Sequence, residues 1–395
     1  KIMSAENLRV LQALERLAIT LKELPSQVSP KELSHWRRVT NKTSGGKYLE
    51  NDTSNDDENG LTMAWSMMDQ GRLLVHSTST KYTLVSQIDF EKGSDLAKDL
   101  LRGCEHLGTG ALLVHDDAIG CCRSLRKAVQ QYVRAVVQTC IHLMNILVSI
   151  GDDSTTKQSN TTTITPAVAT GAIWEACDKF PLVPNSNRNA MRRDLLTWIR
   201  ECQDTVQEFE EILALPTTAS LPTSTPPSSN TSWELFTSGN SDAYTDIEHP
   251  IALVSLALIK CTRGTLKVLL EVCDTVAESS SSSSSDSLGI HWVSQRHEEG
   301  RSLGEGMTEL GSLLYPPLDL DELSDRVTFQ SEALLALLTM ILQRIDEVQS
   351  SKEESSSSSS LSSNRKLAET IRTAVLTRTQ EAYAALDNAK VVISS

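Results

Sequence analysis

Two kinds of residue in this chain could do chemistry, thiols and clustered imidazole or carboxylate groups. The glycine patterns that cradle phosphates, G-x-x-x-x-G-K-[ST] and G-x-G-x-x-G, are both absent, and Gly304-Glu305-Gly306 is a lone G-x-G with no strand ahead of it. Eight cysteines stand at 104, 121, 122, 140, 177, 202, 261 and 273, with no C-x-x-C pair among them. Cys121 and Cys122 are sequence neighbours, a poor geometry for a bridge. Most of the others fall on apolar helical stripes, where a free thiol behaves as a small hydrophobe. A reducing compartment is expected. The triplets beginning at Asn41, Asn51, Asn160 and Asn230 read as glycosylation acceptors, but they lie in Ser/Thr/Asn-rich stretches, and the opening residues give no expectation of a secretory leader.

The best metal-like grouping is His106, His115, Asp116 and Asp117. A gap of nine residues turns the two histidines about 180° apart on one helix, so they do not share a ligand face. His291 with His297-Glu298-Glu299 is expected in a Gly-flanked loop. The sequence offers no buried pair of Glu-x-x-His motifs, as carboxylate-bridged metal bundles require. The sequence therefore points to no catalytic residue, no cofactor and no metal, and the chain is read as non-enzymatic.

Trp36-Arg37-Arg38 could stack on a nucleic acid. The chain, however, carries 37 Lys and Arg against 51 Asp and Glu, a net charge of −14. That charge repels phosphate backbones and anionic lipid, so neither nucleic acid nor membrane is an expected partner. Trp174 and Trp198 sit on apolar stripes and are expected in the core. The segment Trp233, Leu235 and Phe236 is an apolar island in a polar stretch. It either docks on its own domain or binds a partner, and it is the candidate partner-binding site. The serine runs lie beside acids, as in Ser283-x-x-Asp286, Ser350-x-x-Glu353 and Ser351-x-x-Glu354. They read as neutral spacers or as targets of an acid-directed kinase.

The elements that carry these residues are helical throughout. Aromatic residues are 4% of the 395, and no alternating Val/Ile-rich strand is bounded by turn dipeptides. Apolar spacing predicts helices over about 5–24, from Pro30 through Trp36 to the insertion at 41, and over 61–88, 94–114, 118–150, 166–180, 187–213, 250–278, 303–314, 318–348 and 361–389. Pro166 is expected in the first turn of its helix and Asn187 as the cap of the next. The fold class is all-α, two antiparallel helical bundles with disordered polar loops. An N-terminal bundle over 1–214 carries a disordered insertion at 41–60 and a loop at 151–165. A Pro/Ser/Thr linker covers 215–249. A C-terminal bundle over 250–395 carries low-complexity loops at 279–302 and 350–363. The bundle to which the first helix belongs, and whether Lys1 is the true start, stay open.

Several pieces of sequence, taken in order, resemble one family. They are His35-Trp36-Arg37-Arg38, the run Leu125 to Val129, Ile173-Trp174-Glu175-Ala176-Cys177 followed by Pro181 to Pro184, the helix Ile251 to Leu258, and Leu313-Leu314-Tyr315-Pro316-Pro317. A residue before proline leaves the helical region, so Tyr-Pro-Pro suits a helix stop, and its second proline is expected to open the next helix. The chain resembles the cyclin-D1-binding protein 1 family, also described as Grap2- and cyclin-D-interacting and helix-loop-helix-like. It departs in the 41–60 insertion, the serine runs and the linker. The resemblance implies two bundles like those of talin and the I/LWEQ module. It further implies a nuclear and cytoplasmic negative regulator of cell-cycle progression that binds D-type cyclin or helix-loop-helix transcription factors. No basic region adjoins a candidate helix, so pairs with such factors could not grip DNA through this chain. A talin- or vinculin-like cytoskeletal adaptor is the alternative.

Overall fold

The computed structural model describes residues 5–24, 56–88, 92–152, 165–217, 243–280, 287–350 and 358–394. Among these residues the chain is all-α, with ten α-helices and no strand. It forms two compact units, Lys1–Met191 and Arg192–Ser395. The predicted helix from Pro30, residues 41–55 of the predicted 41–60 insertion, residues 153–164 of the 151–165 loop, most of the linker (218–242) and the runs 281–286 and 351–357 lie outside the described residues.

The first unit contains α1 (Ala5–Glu23), α2 (Asp56–Ile88), α3 (Ser94–His115), α4 (Arg123–Asp152) and α5 (Pro166–Asp178). Around its core α1 packs on α3 and α4, α2 on α3 and α5, and α4 on α3 and α5. The stripe read from the sequence is the one buried: Leu14, Leu21, Met68, Val75, Leu100, Leu107, Val129, Val136 and Leu143 are all closed to solvent. Thr165 caps α5, its Oγ1 accepting from the Val168 N–H, and Pro166 follows in the first turn.

The α2–α3 crossing is closer than aliphatic side chains allow. A Cβ on Gly71 would lie 2.7 Å from the Gly103 carbonyl oxygen and 2.9 Å from the Leu107 nitrogen, and one on Gly110 would lie 2.8 Å from the Ala64 carbonyl oxygen. Ala64 and Gly71 are seven residues apart on α2, as are Gly103 and Gly110 on α3, so both small pairs return to one face every two turns.

Between α3 and α4 the chain turns through 116–122. Gly120 takes the left-handed conformation (φ 67°), which glycine adopts without a Cβ clash. The predicted helix 118–150 therefore starts five residues later, at Arg123. Arg126, with 1% of its surface exposed, donates from Nε to the Cys121 carbonyl (3.0 Å) and from Nη2 to Asp117 Oδ1 (2.9 Å). Asn187 does not use its side chain as a helix cap. Its Oδ1 accepts from the Cys122 N–H (2.7 Å) and its Nδ2 donates to the Gly120 carbonyl (3.0 Å), while Ser186 Oγ accepts from the Asn189 N–H (3.2 Å) as the cap.

The second unit contains the greater part of α6 (Asn187–Leu213), then α7 (Glu248–Ser280), α8 (Ser287–Ser312), α9 (Leu320–Ser350) and α10 (Ser358–Ser394). The helices α7, α8, α9 and α10 pack in sequence around the core, α10 closes on α7, and α7 meets α9 across the middle. Register is fixed by pairs along each seam. Asp321–Lys390, Thr328–Tyr383 and Asp346–Arg365 run antiparallel between α9 and α10. From Arg192 onward α6 pairs with α7 through Arg192–Asp274, Gln203–Arg263 and Glu210–Lys260, which places the unit boundary inside α6 and not at the Pro/Ser/Thr stretch.

Four predicted irregular stretches are ordered at their ends. Residues 287–302, expected as a loop, are the first half of α8. Its buried line runs Val293, Arg296, His297, Gly300, Leu303, Gly304 and Met307, so polar residues and glycines stand where an aliphatic pattern was sought. Serine positions 358–360 begin α10, and 56–60 begin α2. Residues 243–249 form the entry to α7. Thr245 Oγ1 accepts from the Glu248 N–H while Glu248 Oε2 accepts from the Thr245 N–H, a capping box, and Glu248 Oε1 accepts from the Leu318 N–H (2.8 Å). Tyr244, buried, donates to the Leu314 carbonyl. Pro317 does not open α9. Asp319 does, with Oδ1 accepting from the Asp321 and Glu322 N–H groups.

At the centre of this unit Gln330 ties three helices. Its Nε2 donates to Thr262 Oγ1 on α7 (2.9 Å) and to the Leu303 carbonyl on α8 (3.2 Å).

Candidate partner-binding surface

Trp233, Leu235 and Phe236, the segment read as a partner contact, lie outside the described residues, as do Trp36, Arg37 and Arg38. The chemistry-bearing groups that are described are committed to packing. All eight thiols are free, and all but the half-buried Cys261 are buried. Burial pushes the thiols of Cys121, Cys177, Cys202 and Cys273 up to about 12. Cys140 is held well above the ordinary thiol value, first by its hydrogen bond to Cys104 and then by burial. A nucleophilic cysteine needs the thiolate, which these positions disfavour. Among the described residues no group of three or more His, Cys, Asp or Glu could hold a metal ion.

His115 closes the end of α3, with Nδ1 2.8 Å from the Ala111 carbonyl and no partner at Nε2. Burial holds its pKa below the ordinary 6.5, opposed by the Ala111 bond and helped by the charge of Arg126. In the second unit His297 lies under Trp198, ring centroids 5.3 Å apart, and its Nε2 is 3.8 Å from Asp194 Oδ2. Burial lowers this group too, against the pull of Asp194 and Glu298. Both histidines are thus favoured neutral in the folded chain. Their contribution to stability is whole above pH 6.5 and is lost as pH falls below that value toward the depressed folded-state pKa. Urea unfolding at about pH 7.5 and about pH 5.5 should give a lower midpoint in acid, and His115→Gln and His297→Gln should each shrink the difference. Equal midpoints for the unaltered chain at the two pH values would remove the assignment.

The surface best suited to a partner lies along α2 and α5 in the first unit. Trp65, Asp69, Arg72 and His76 recur at steps of three and four, and so line one face of α2. The helix α5 and the turn after it run antiparallel along that face. Thr170 Oγ1 meets Thr83 Oγ1 at 2.7 Å, and the Trp174 ring stacks on His76 with centroids 5.6 Å apart. Phe180 reaches Trp65 (6.2 Å) and Tyr132 (5.3 Å), and the Arg72 guanidinium sits 5.3 Å over its ring while Nε holds Asp69 at 2.7 Å.

Trp174 is therefore not the core residue that its place on the stripe suggested. Its neighbour Ile173 takes the buried position, and Trp174 is 38% exposed. Leu182, in the Pro181–Pro184 turn, is 71% exposed, and Val168 is 62% exposed. A Cβ on Gly171 would meet nothing within 4 Å, so the backbone of α5 is open to close approach between Val168 and Trp174. Tryptophan and arginine on one face are the residue types enriched at binding hot spots, and the exposed Leu182 and Val168 add apolar area around them.

One described helix, over 123–149, is long and apolar enough to cross a membrane by composition. Half of that window is buried inside the unit, and the helix carries the fully buried Arg126, as the central helix of a bundle does.

Fold and surface together define an all-helical protein of two units with a partly exposed aromatic face. Residues 68–215, which hold that face from Asp69 to Leu182, match the family described as Grap2 and cyclin-D-interacting, N-terminal. The chain is similar to a cyclin-D1-binding protein 1 homolog of Xenopus laevis, 25% identical over 148 residues, which are 37% of this chain and 41% of that relative. A cyclin-D1-binding protein 1 homolog of Danio rerio is 26% identical over 91 residues, 23% of this chain and 24% of the relative. The match thus spans about two fifths and one quarter of those relatives' lengths. Over residues 68–215 the chain is similar to this family, and two of the sequence pieces that suggested the resemblance, Leu125 to Val129 and Ile173 to Pro184, fall inside that segment.

Proposed function

We propose that this chain is a non-enzymatic interaction protein that captures a D-type cyclin, or another helical regulatory protein, in the nucleus and cytoplasm and so restrains cell-cycle progression. The observation that carries the reading is the coincidence of the exposed Trp174–Leu182 face with the segment matching a cyclin-D-interacting family. A partner laying an apolar helix face along α5 would cover Trp174, Val168 and Leu182 and could approach the backbone at Gly171. The mechanism is sequestration, with a bound partner withheld from its usual complexes.

Titration of the full chain with a purified D-type cyclin tests this. Trp174→Ala and Leu182→Asp should each weaken binding about tenfold or more, the size expected of a truncated hot spot. Leu182 is exposed enough that its variant's unfolding midpoint should hardly move, whereas Trp174→Ala also loses the stacking on His76 and should unfold somewhat earlier, so its binding is read where circular dichroism shows it folded. A third variant lacking 218–242 removes Trp233, Leu235 and Phe236 but keeps Tyr244 and the Thr245–Glu248 capping box. If that deletion alone abolishes binding, the linker segment is the contact and the α5 face is not. Absence of binding by the unaltered, helical chain would overturn the cyclin reading itself.

A further inference from the structure

We propose that Ser350 is a phosphorylation site for an acid-directed serine kinase, and that its phosphate loosens the corner at which α9 is pinned to α10. Ser350 is the last residue of α9 and is exposed, and its Oγ donates to the Asp346 carbonyl at 2.7 Å. In sequence it is followed at the third position by Glu353 and preceded by Asp346 and Glu347, an acidic setting on both sides. The reaction is transfer of the γ-phosphoryl group of Mg-ATP. The bond from Ser350 Oγ to phosphorus forms, the bond from phosphorus to the bridging oxygen of ADP breaks, and the hydroxyl proton passes to the kinase's base.

The surroundings decide what that phosphate does. The modified Oγ has no proton left to donate to the Asp346 carbonyl. Up to two negative charges arrive at a helix C-terminus, the end where the macrodipole is already negative. Asp346, one turn back on the same side, holds Arg365 of α10 at 2.8 Å, and Arg365 also holds Glu369 at 3.0 Å. Glu347 holds Arg344 at 3.0 Å, and that guanidinium lies 5.9 Å from the Trp292 ring of α8. The phosphate therefore repels both carboxylates that organise this corner and competes with Asp346 for Arg365. Like charges set beside acids at a helix C-terminus unmake local structure, so the first turns of α10 should open more often.

The test is to treat the full chain with casein kinase II and Mg-ATP, map phosphate by tandem mass spectrometry, and follow limited trypsin cleavage after Arg365 and Lys366. Phosphate on Ser350 and cleavage at least ~threefold faster are expected, the change disappearing in the Ser350→Ala chain. Arg365→Gln, followed at Lys366 alone, should speed cleavage without phosphate and leave less for the phosphate to add, since the two changes act on one contact. No phosphate on Ser350 while the kinase modifies an acidic control peptide would overturn the site. Phosphate on Ser350 with unchanged cleavage would overturn its effect.

Discussion

Gly71→Ala is expected to lower the stability of the first unit by about 2 kcal/mol, against the usual preference of a helix for alanine. The added Cβ meets the Gly103 carbonyl oxygen at 2.7 Å and the Leu107 nitrogen at 2.9 Å. Both are backbone atoms, so no side chain can rotate aside and α2 must move away from α3. Overpacking of this kind costs roughly 1–3 kcal/mol, and separating the helices also weakens the packing of Met68 and Val75, which places the cost at the upper end. Alanine's helix propensity returns about 1 kcal/mol. The same substitution at Gly171, where a Cβ meets nothing, keeps the propensity gain without the clash. Amide exchange in α2 and α3 should speed up about thirtyfold in Gly71→Ala and slow in Gly171→Ala. If the two variants behave alike, the close crossing is not real.

Arg126→Ala should cost still more, about 3 kcal/mol, because two losses coincide. A long side chain leaves a space with 1% exposure, and the Cys121 carbonyl loses a charged donor at 3.0 Å. Asp117, half exposed, is re-solvated and adds little. Arg126→Lys should recover only part of the loss, since an ammonium cannot reproduce the fork that serves Cys121 and Asp117 together. Asn187→Ala probes the same turn from the other side, removing one acceptor from the Cys122 N–H and one donor from the Gly120 carbonyl. Urea unfolding of the three variants settles the order. An Arg126→Ala chain within 1 kcal/mol of the unaltered one, on the order of experimental and context scatter, would mean that the turn does not depend on it.

The helices α4 and α9 could be read from sequence because each buried turn carries an aliphatic side chain, as in Val129, Val136 and Leu143 or Leu334, Leu338 and Ile341. The first half of α8 could not, since Arg296, His297 and Gly300 hold the positions that a hydrophobic pattern tests. Its polar groups are accommodated by neighbours distant in sequence, Asp194 and Met340 among them. Asn187 shows a subtler gap. The residue type was right for a cap, but two backbone groups 65 and 67 residues away in sequence claim its side chain. Other features are written plainly in the residue spacing. The seven-residue spacing of Ala64–Gly71 and Gly103–Gly110 marks a close crossing, and Thr245-x-x-Glu248 is a capping box in plain sequence. The candidate surface was half legible. Ile173-Trp174 and Pro181 to Pro184 stood out as motifs, but which of two adjacent apolar residues faces solvent depends on where α2 lies.

The place where one unit gives way to the other bears on how the molecule can be divided. A protease or a gene fusion that parts the chain in the Pro/Ser/Thr stretch would leave α6 on the wrong fragment. The C-terminal piece would lose Trp198, which covers His297 and Gly304, and Phe209, whose ring lies 4.9 Å from Tyr315. Its partners Asp274 and Lys260 on α7 would face water. The N-terminal piece would carry some twenty surplus residues with an apolar stripe, Leu195, Cys202, Val206 and Phe209, and nothing to bury it. Such halves should be sticky and poorly behaved on their own, and any partner that they capture would report on that bared stripe before it reported on the native face of α5.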